Sequence, residues 1–177
     1  MKSVLQTLSS SEVEMLSRHA GSVWHHLQSD ALDSPGVAWS RINVHTSAGI
    51  VSITLERTPT EIAGDLDDYP VMHVRAVDEA DRAVRAEDGV LIHGKDEPVR
   101  SIWAVRDTVT GVRAEADDFV YTADVAVAFQ LESTWIAIAR TSHFTDAFLI
   151  SRSESRDRLV LPETEEEWES DLLDQYT

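Results

Sequence analysis

The stretch Phe119-Val120-Tyr121-Thr122-Ala123-Asp124-Val125-Ala126-Val127-Ala128-Phe129-Gln130-Leu131 decides how the chain is read. Phe119, Tyr121, Ala123, Val125, Val127, Phe129 and Leu131 recur at every second position, with Thr122, Asp124 and Gln130 between them. Successive side chains of a strand point to opposite faces, so a period of two predicts one long strand with a wholly apolar face. Such a strand belongs near the middle of an antiparallel sheet, under the first helix of the chain. Glu132-Ser133 turns it into Trp135 to Arg140, and Ala147 to Ser151 supplies another strand.

Upstream, Ile42 and Val44 alternate with polar Arg41, Asn43 and His45, and Val51, Ile53 and Leu55 alternate with Ser52, Thr54 and Glu56. With Ser47-Ala48 as the loop, Val44 faces Val51 and Ile42 faces Ile53, so a hairpin with one apolar face is expected. Val71 to Val77, Val90 to His93 and Arg100 to Val109 also read as strands, and Thr110-Gly111 as a turn into residues 112–116. Asp78 to Asp88 fits either a short helix or a long hairpin connection.

Helix signals lie at both ends. Ser9-Ser10-Ser11-Glu12 reads as a capping box, in which the serine and the glutamate each satisfy the other's backbone N–H. Val13, Leu16, Ala20, Val23, Trp24, Leu27 and Ala31 then form a stripe at helical spacing, predicting a long helix from about residue 10 to 31, ended by Ser34-Pro35-Gly36. Thr58-Pro59-Thr60-Glu61 reads as a second box opening one or two helical turns, closed by the acidic loop Asp65-Leu66-Asp67-Asp68. After Pro162, the acids of the first turn and the i, i+4, i+8 spacing of Trp168, Leu172 and Tyr176 predict a short docked helix over 163–176. The expected fold is therefore α+β over a single domain, residues 1–177. It comprises a curved antiparallel sheet of about six to eight strands, a long N-terminal helix and a short acidic C-terminal helix.

Charge bounds the function. The 177 residues carry a formal −17 from 32 acids against 15 bases, and Lys2 and Lys95 are the only lysines. The segment from Glu163 to Thr177 holds seven of the acids and no base. Such a surface repels nucleic acid and anionic membrane and attracts cationic partners. A GC-rich genome or a concentrated-salt habitat would write a similar composition, but would spread the acids evenly. The chain has no cysteine, which excludes disulfides, thiolate metal sites and a cysteine nucleophile. No apolar run approaches the roughly 18 residues of a membrane span, and the N-terminus lacks an apolar targeting segment, so a cytoplasmic protein is expected.

Catalytic signatures are missing. There is no GxSxG elbow and no phosphate-cradling glycine loop, and Ser142-His143 is an isolated pair. His19 and His26, on the expected helix, would lie about 10 Å apart by helical rise, too far to share a metal. His45, His73, His93 and His143 lie on or near strands, where only the fold could bring them together. Asp67-Asp68 and Asp117-Asp118 read as solvated turn acids, and Glu154 and Asp157 interrupt the cationic cluster Arg152, Arg156 and Arg158. No catalytic residue, metal ligand or cofactor is assigned.

The expectation is a non-enzymatic acidic protein that engages a basic protein partner. Its contact residues would be Glu163, Glu165, Glu166, Glu167, Trp168, Glu169, Asp171 and Asp174 of the tail, with Asp65, Asp67 and Asp68. In size, charge and missing catalytic signatures, though not in motif, the chain resembles immunity proteins and antitoxins that block basic toxins. Two alternatives remain: a DNA-mimic inhibitor, and an enzyme or ligand binder with a His/carboxylate pocket inside the curved sheet.

Overall fold

The computed structural model describes residues 2–29, 32–34, 36–39, 41–62, 65–77, 89–93, 96–111, 119–162 and 170–176. The strands, in chain order, are β1 (Lys2–Gln6), β2 (Trp24–Ser29), β3 (Leu32–Ser34), β4 (Val37–Trp39), β5 (Arg41–Thr46), β6 (Gly49–Ile62) and β7 (Asp65–Ala76). They continue with β8 (Gly89–His93), β9 (Val99–Gly111), β10 (Phe119–Leu131), β11 (Trp135–Arg140), β12 (Ala147–Ser153) and β13 (Ser170–Tyr176). The first sheet has the order β13-β9-β10-β11-β12-β4-β3, with β1 added in parallel to β10; the second has the order β7-β6-β5-β2-β8.

The fold is mostly β, in two sheets, and this overturns the α+β expectation of one sheet under a long N-terminal helix. The helix α1 (Ser10–Ser17) covers only the first third of the predicted span. Its capping box is formed as read: Ser9 N–H donates to Glu12 Oε2 at 2.8 Å, and Glu12 N–H to Ser9 Oγ at 3.4 Å. The helix then yields to Gly21 at φ +79, a left-handed conformation that glycine accepts without strain. Beyond it Trp24–Ser29 fills a slot between β5 and β8, where hydrogen bonds to two neighbours replace those of a helix. Trp24 and Leu27 are buried as the stripe required, but on a strand.

The other helical expectations fail for related reasons. Residues 163–169 lie outside the described residues, but Ser170–Tyr176 is a strand, antiparallel to β9 with Leu172 opposite Val105 and Leu173 opposite Ala104. A short, multiply acidic segment gains little from an isolated helix, whereas an uncovered sheet edge offers a row of backbone partners. Thr58 to Glu61 continues β6, and the supposed loop Asp65 to Asp68 is the start of β7. Asp78 to Asp88 and residues 112–116 lie outside the described residues. The hairpin register, by contrast, is as read: Val44 faces Val51 and Ile42 faces Ile53.

β10 has the bounds its alternation predicts, with β9 on one side and β11 on the other. Its apolar residues, however, do not share one face. The ladder to β9 slips between Asp124 and Ala126, leaving Val125 as an extra residue. A one-residue bulge reverses which face each later residue occupies. Tyr121, Ala123 and Val125 therefore join Ala126 and Ala139 in a smaller apolar cluster with Val105 and Ile62. Val127, Phe129 and Leu131 enter the main core, with Trp24, Leu27, Ile42, Val44, Val51 and Ile53 of the second sheet. Phe129 meets Trp24 edge-on at 5.1 Å between ring centroids. The long strand is thus covered by a second sheet, with α1 contributing buried Leu16 to the same core.

Phe129 is fully buried, so Phe129→Ala should cost about 3–5 kcal/mol in urea denaturation. Gln130→Ala, on the opposite face, should cost much less. Equal effects would contradict this placement.

Candidate functional site

One end of the second sheet extends as a two-stranded arm. β6 pairs with β5 only over residues 49–54, and from Leu55 to Ile62 it pairs with β7 alone. Proline is tolerated where one edge has no neighbour, which suits Pro59. At the end of the arm Glu61 stands opposite Leu66, Thr60 opposite Asp67 and Pro59 opposite Asp68. Leu66 is 73% exposed, an unusual position for a leucine, and Asp67 and Asp68 are exposed beside it. Arg57 is bound through Nε and Nη2 to Asp146 Oδ2 at 2.8 and 2.6 Å. That hydrogen bond and the charges of Asp146, Asp68 and Asp67 push its pKa up. Phe144, 48% exposed, leans on Tyr69 of the arm at 5.5 Å between centroids, and Gln6 of β1 ties the arm down through Thr60 Oγ1 at 2.7 Å.

The sequence-derived contact residues divide accordingly. Asp65, Asp67 and Asp68 come together on the arm, on a strand instead of a loop. Asp171 and Asp174 lie on β13 at the edge of the first sheet, Asp171 opposite Arg106 and Asp174 at a register shift. Glu163, Glu165, Glu166, Glu167, Trp168 and Glu169 lie outside the described residues.

Near Phe144 lies a buried polar cluster that the sequence reading did not assemble. His143 Nε2 approaches Asp107 Oδ2 at 2.9 Å, without the alignment of a good hydrogen bond, and both side chains are essentially inaccessible. Asp107 Oδ1 accepts from Thr108 N–H at 2.8 Å. Arg140, equally buried, donates through Nη2 to the carbonyls of His143 and, at 2.8 Å, of Pro70. Tyr121 OH donates to Gln6 Oε1 at 2.5 Å; burial pushes its pKa up, and Arg140 offsets this in part. The signal in the sequence was charge inside strands: Asp107 in a β run, and Arg140 ending Trp-Ile-Ala-Ile-Ala. Ser142 takes no part in it, its hydroxyl donating outward to Thr145 Oγ1 at 3.4 Å.

The remaining histidines have separate duties. His73 Nδ1 meets Glu12 Oε1 at 3.0 Å, and His25 Nδ1 meets Asp96 Oδ1 at 2.8 Å. His19 Nδ1 bonds Thr46 Oγ1 at 2.8 Å in the interior. His26 and His45 stack on adjacent strands with centroids 4.1 Å apart. Among the described side chains no three of His, Asp or Glu are grouped to hold a metal. A separate cleft of about 200 Å³ lies against β9 to β11, lined by Trp103, Trp135, Leu159 and Leu161, with the Arg156 guanidinium 4.9 Å from the Trp103 ring centroid.

No protein-family model, curated protein or solved structure matches this chain. Among the described residues no helix is long and apolar enough to cross a membrane.

Among the described residues, His19 and Glu12 contribute to the acid response with a definite sign. Burial lowers the pKa of His19 from its ordinary 6.5, so the unfolded chain takes up that proton first. The stability it supports is complete above about 6.5 and is lost as pH falls below it. Burial alone would raise the Glu12 pKa, but hydrogen bonds from Ser9, Val74 N–H and His73 outweigh it and hold the carboxyl below 4.5. That stability is present above 4.5 and is lost as pH falls through the lowered value. Urea midpoints measured against pH should therefore fall in two windows, with His19→Gln removing the upper one and Glu12→Gln the lower.

Asp107→Ala would leave His143 beside an empty position, and removing one partner of a buried pair costs about 3–5 kcal/mol. Denaturation midpoints of that variant check this; a change within error would mean that the pair contributes nothing.

Proposed function

We propose that the protein is a non-enzymatic binding module that engages a cationic protein, with the β6–β7 arm and Phe144 as its contact surface. The observation that carries this reading is the exposure of Leu66 beside Asp67 and Asp68 at the end of the arm, with exposed Phe144 packed on Tyr69 of the same arm. Exposed apolar anchors on an acidic arm suit an interface in which the anchors hold and the charges steer. The net −17 and the acids of the C-terminal segment extend the field that a basic partner would meet. An inhibitor of a basic toxin, of the immunity or antitoxin kind, is the specific form favoured here. The enclosure of Asp107 and His143 supports this over an enzyme, because a general base must reach its substrate.

Long-range charge acts mainly on the encounter rate, whereas buried contacts act on dissociation. Against a panel of purified basic proteins, a true partner should associate about 10-fold or more slowly when salt rises from about 0.05 to 0.5 M. Its dissociation should change little. Asp67→Asn with Asp68→Asn should slow association, and Leu66→Ala or Phe144→Ala should speed dissociation. Salt-independent association, or equal weak adhesion to every basic protein, would count against this function.

A further inference from the structure

We infer that the cleft on the first sheet binds a free aromatic α-amino acid, with Arg156 and Asp157 holding its charged groups and Trp103 and Trp135 its ring. The site stands apart from the partner reading and uses none of its residues. Ile102 and Ala104, Val127 and Phe129, and Ile136 all belong to the main core. Their neighbours Trp103, Ala128 and Trp135 therefore point the other way, away from the second sheet. Ala128 stands opposite Trp103 in the β9–β10 ladder, and Gln130, two residues on, stands opposite Trp135 in the β10–β11 ladder. The small side chain of Ala128 leaves a hollow beside two indoles whose centroids lie 6.5 Å apart. Past β12 the chain returns across this face, and Leu159 and Leu161 wall the hollow. Val160 N–H, between them, donates to Ser151 Oγ at 3.2 Å and ties the returning segment to β12.

An apolar cavity of about 150 Å³ takes a benzene ring. The cleft, at about 200 Å³, therefore has room for a phenyl group and a small polar head. Ligand clefts are mostly apolar, with a few polar groups that set orientation. Here those groups are one cation and one carboxylate, adjacent on the single turn Arg156–Arg158. Arg18, Arg57, Arg75, Arg100 and Arg106 are each ion-paired with a carboxylate. Arg156, half-buried, lies instead over the Trp103 ring at 4.9 Å. Among the described residues neither it nor Asp157 has an ion-pair partner. In a chain with 32 acids, a half-buried arginine without one points to a carboxylate supplied from outside. Stacking on an indole fixes the guanidinium plane and leaves its N–H edge for bidentate contact with that carboxylate. Asp157 would repel a simple anion but suits an ammonium group on the same ligand. Opposite charges one residue apart thus select a zwitterion, and an α-amino acid carries both of its charges on one carbon. A peptide terminus or a simple aromatic acid offers only one of the two.

The test titrates the full chain calorimetrically with L-phenylalanine, which should bind with one equivalent. Phenethylamine, which lacks the carboxylate, and hydrocinnamate, which lacks the ammonium, should each bind at least about 10-fold more weakly, the loss of one charged hydrogen bond. Glycine, which lacks the ring, should not bind measurably. Arg156→Gln should weaken L-phenylalanine at least about 10-fold without weakening phenethylamine. Asp157→Asn should weaken L-phenylalanine without weakening hydrocinnamate. Neither side chain belongs to an apolar core cluster, so both variants should fold. Arg152, exposed on β12 and outside the cleft, is the control, and Arg152→Gln should change nothing. Absence of L-phenylalanine binding at millimolar concentration, or binding untouched by Arg156→Gln, would overturn the site. Equally tight binding of N-acetyl-L-phenylalaninamide, which has neither charge, would mean that the cleft takes an apolar side chain of a partner, and would overturn the amino-acid reading.

Discussion

β10 runs through both apolar clusters, and it does so because its ladder with β9 slips by one residue at Val125. Without that slip, all its odd-numbered residues would face one way, and one cluster would lose its aromatic centre. The slip also marks where the strand changes partners: β1 pairs with Phe119 to Ala123, and β11 with Ala126 to Gln130. Between them sits Asp124, buried, accepting Leu8 N–H at 2.6 Å and Arg106 Nε at 2.9 Å. A carboxylate that the alternation placed on a polar face is thus the group that ends β1 and locks the bulge. The arm depends on it too, because Gln6, on the strand so fixed, bonds Thr60.

How much was legible follows from what each signal measures. Alternation is local, so the bounds of β10 and β11 and the register of the β5–β6 hairpin could be read directly. A bulge is not local in this sense, since Val125 is as apolar as its neighbours and only the pairing with β9 reveals it. The stripe read from Val13 onward had true burial at three described positions and a false period. Leu16, Trp24 and Leu27 are all inside, but Gly21 interrupts the helix and the second sheet claims the remainder. The tail failed for the opposite reason, because nothing within residues 170–176 announces the free edge of β9. Of the candidate site, the three arm aspartates were legible as acids, and their strand as nothing of the kind. Asp107 is far in sequence from Arg140 and His143, and only the fold brings it to them.

The buried polar groups that join the elements follow one physical rule. Asp124, Arg140 and partly buried Glu12 each serve a backbone group at an edge or end of a strand, since such a group costs free energy when taken from water unpaired. Asp124 receives the N–H of Leu8 just past the end of β1. Glu12 receives Val74 N–H on the outer edge of β7, so the residue that caps α1 also seals a sheet. Arg140 donates to the carbonyl of Pro70 and ties the first sheet to the second.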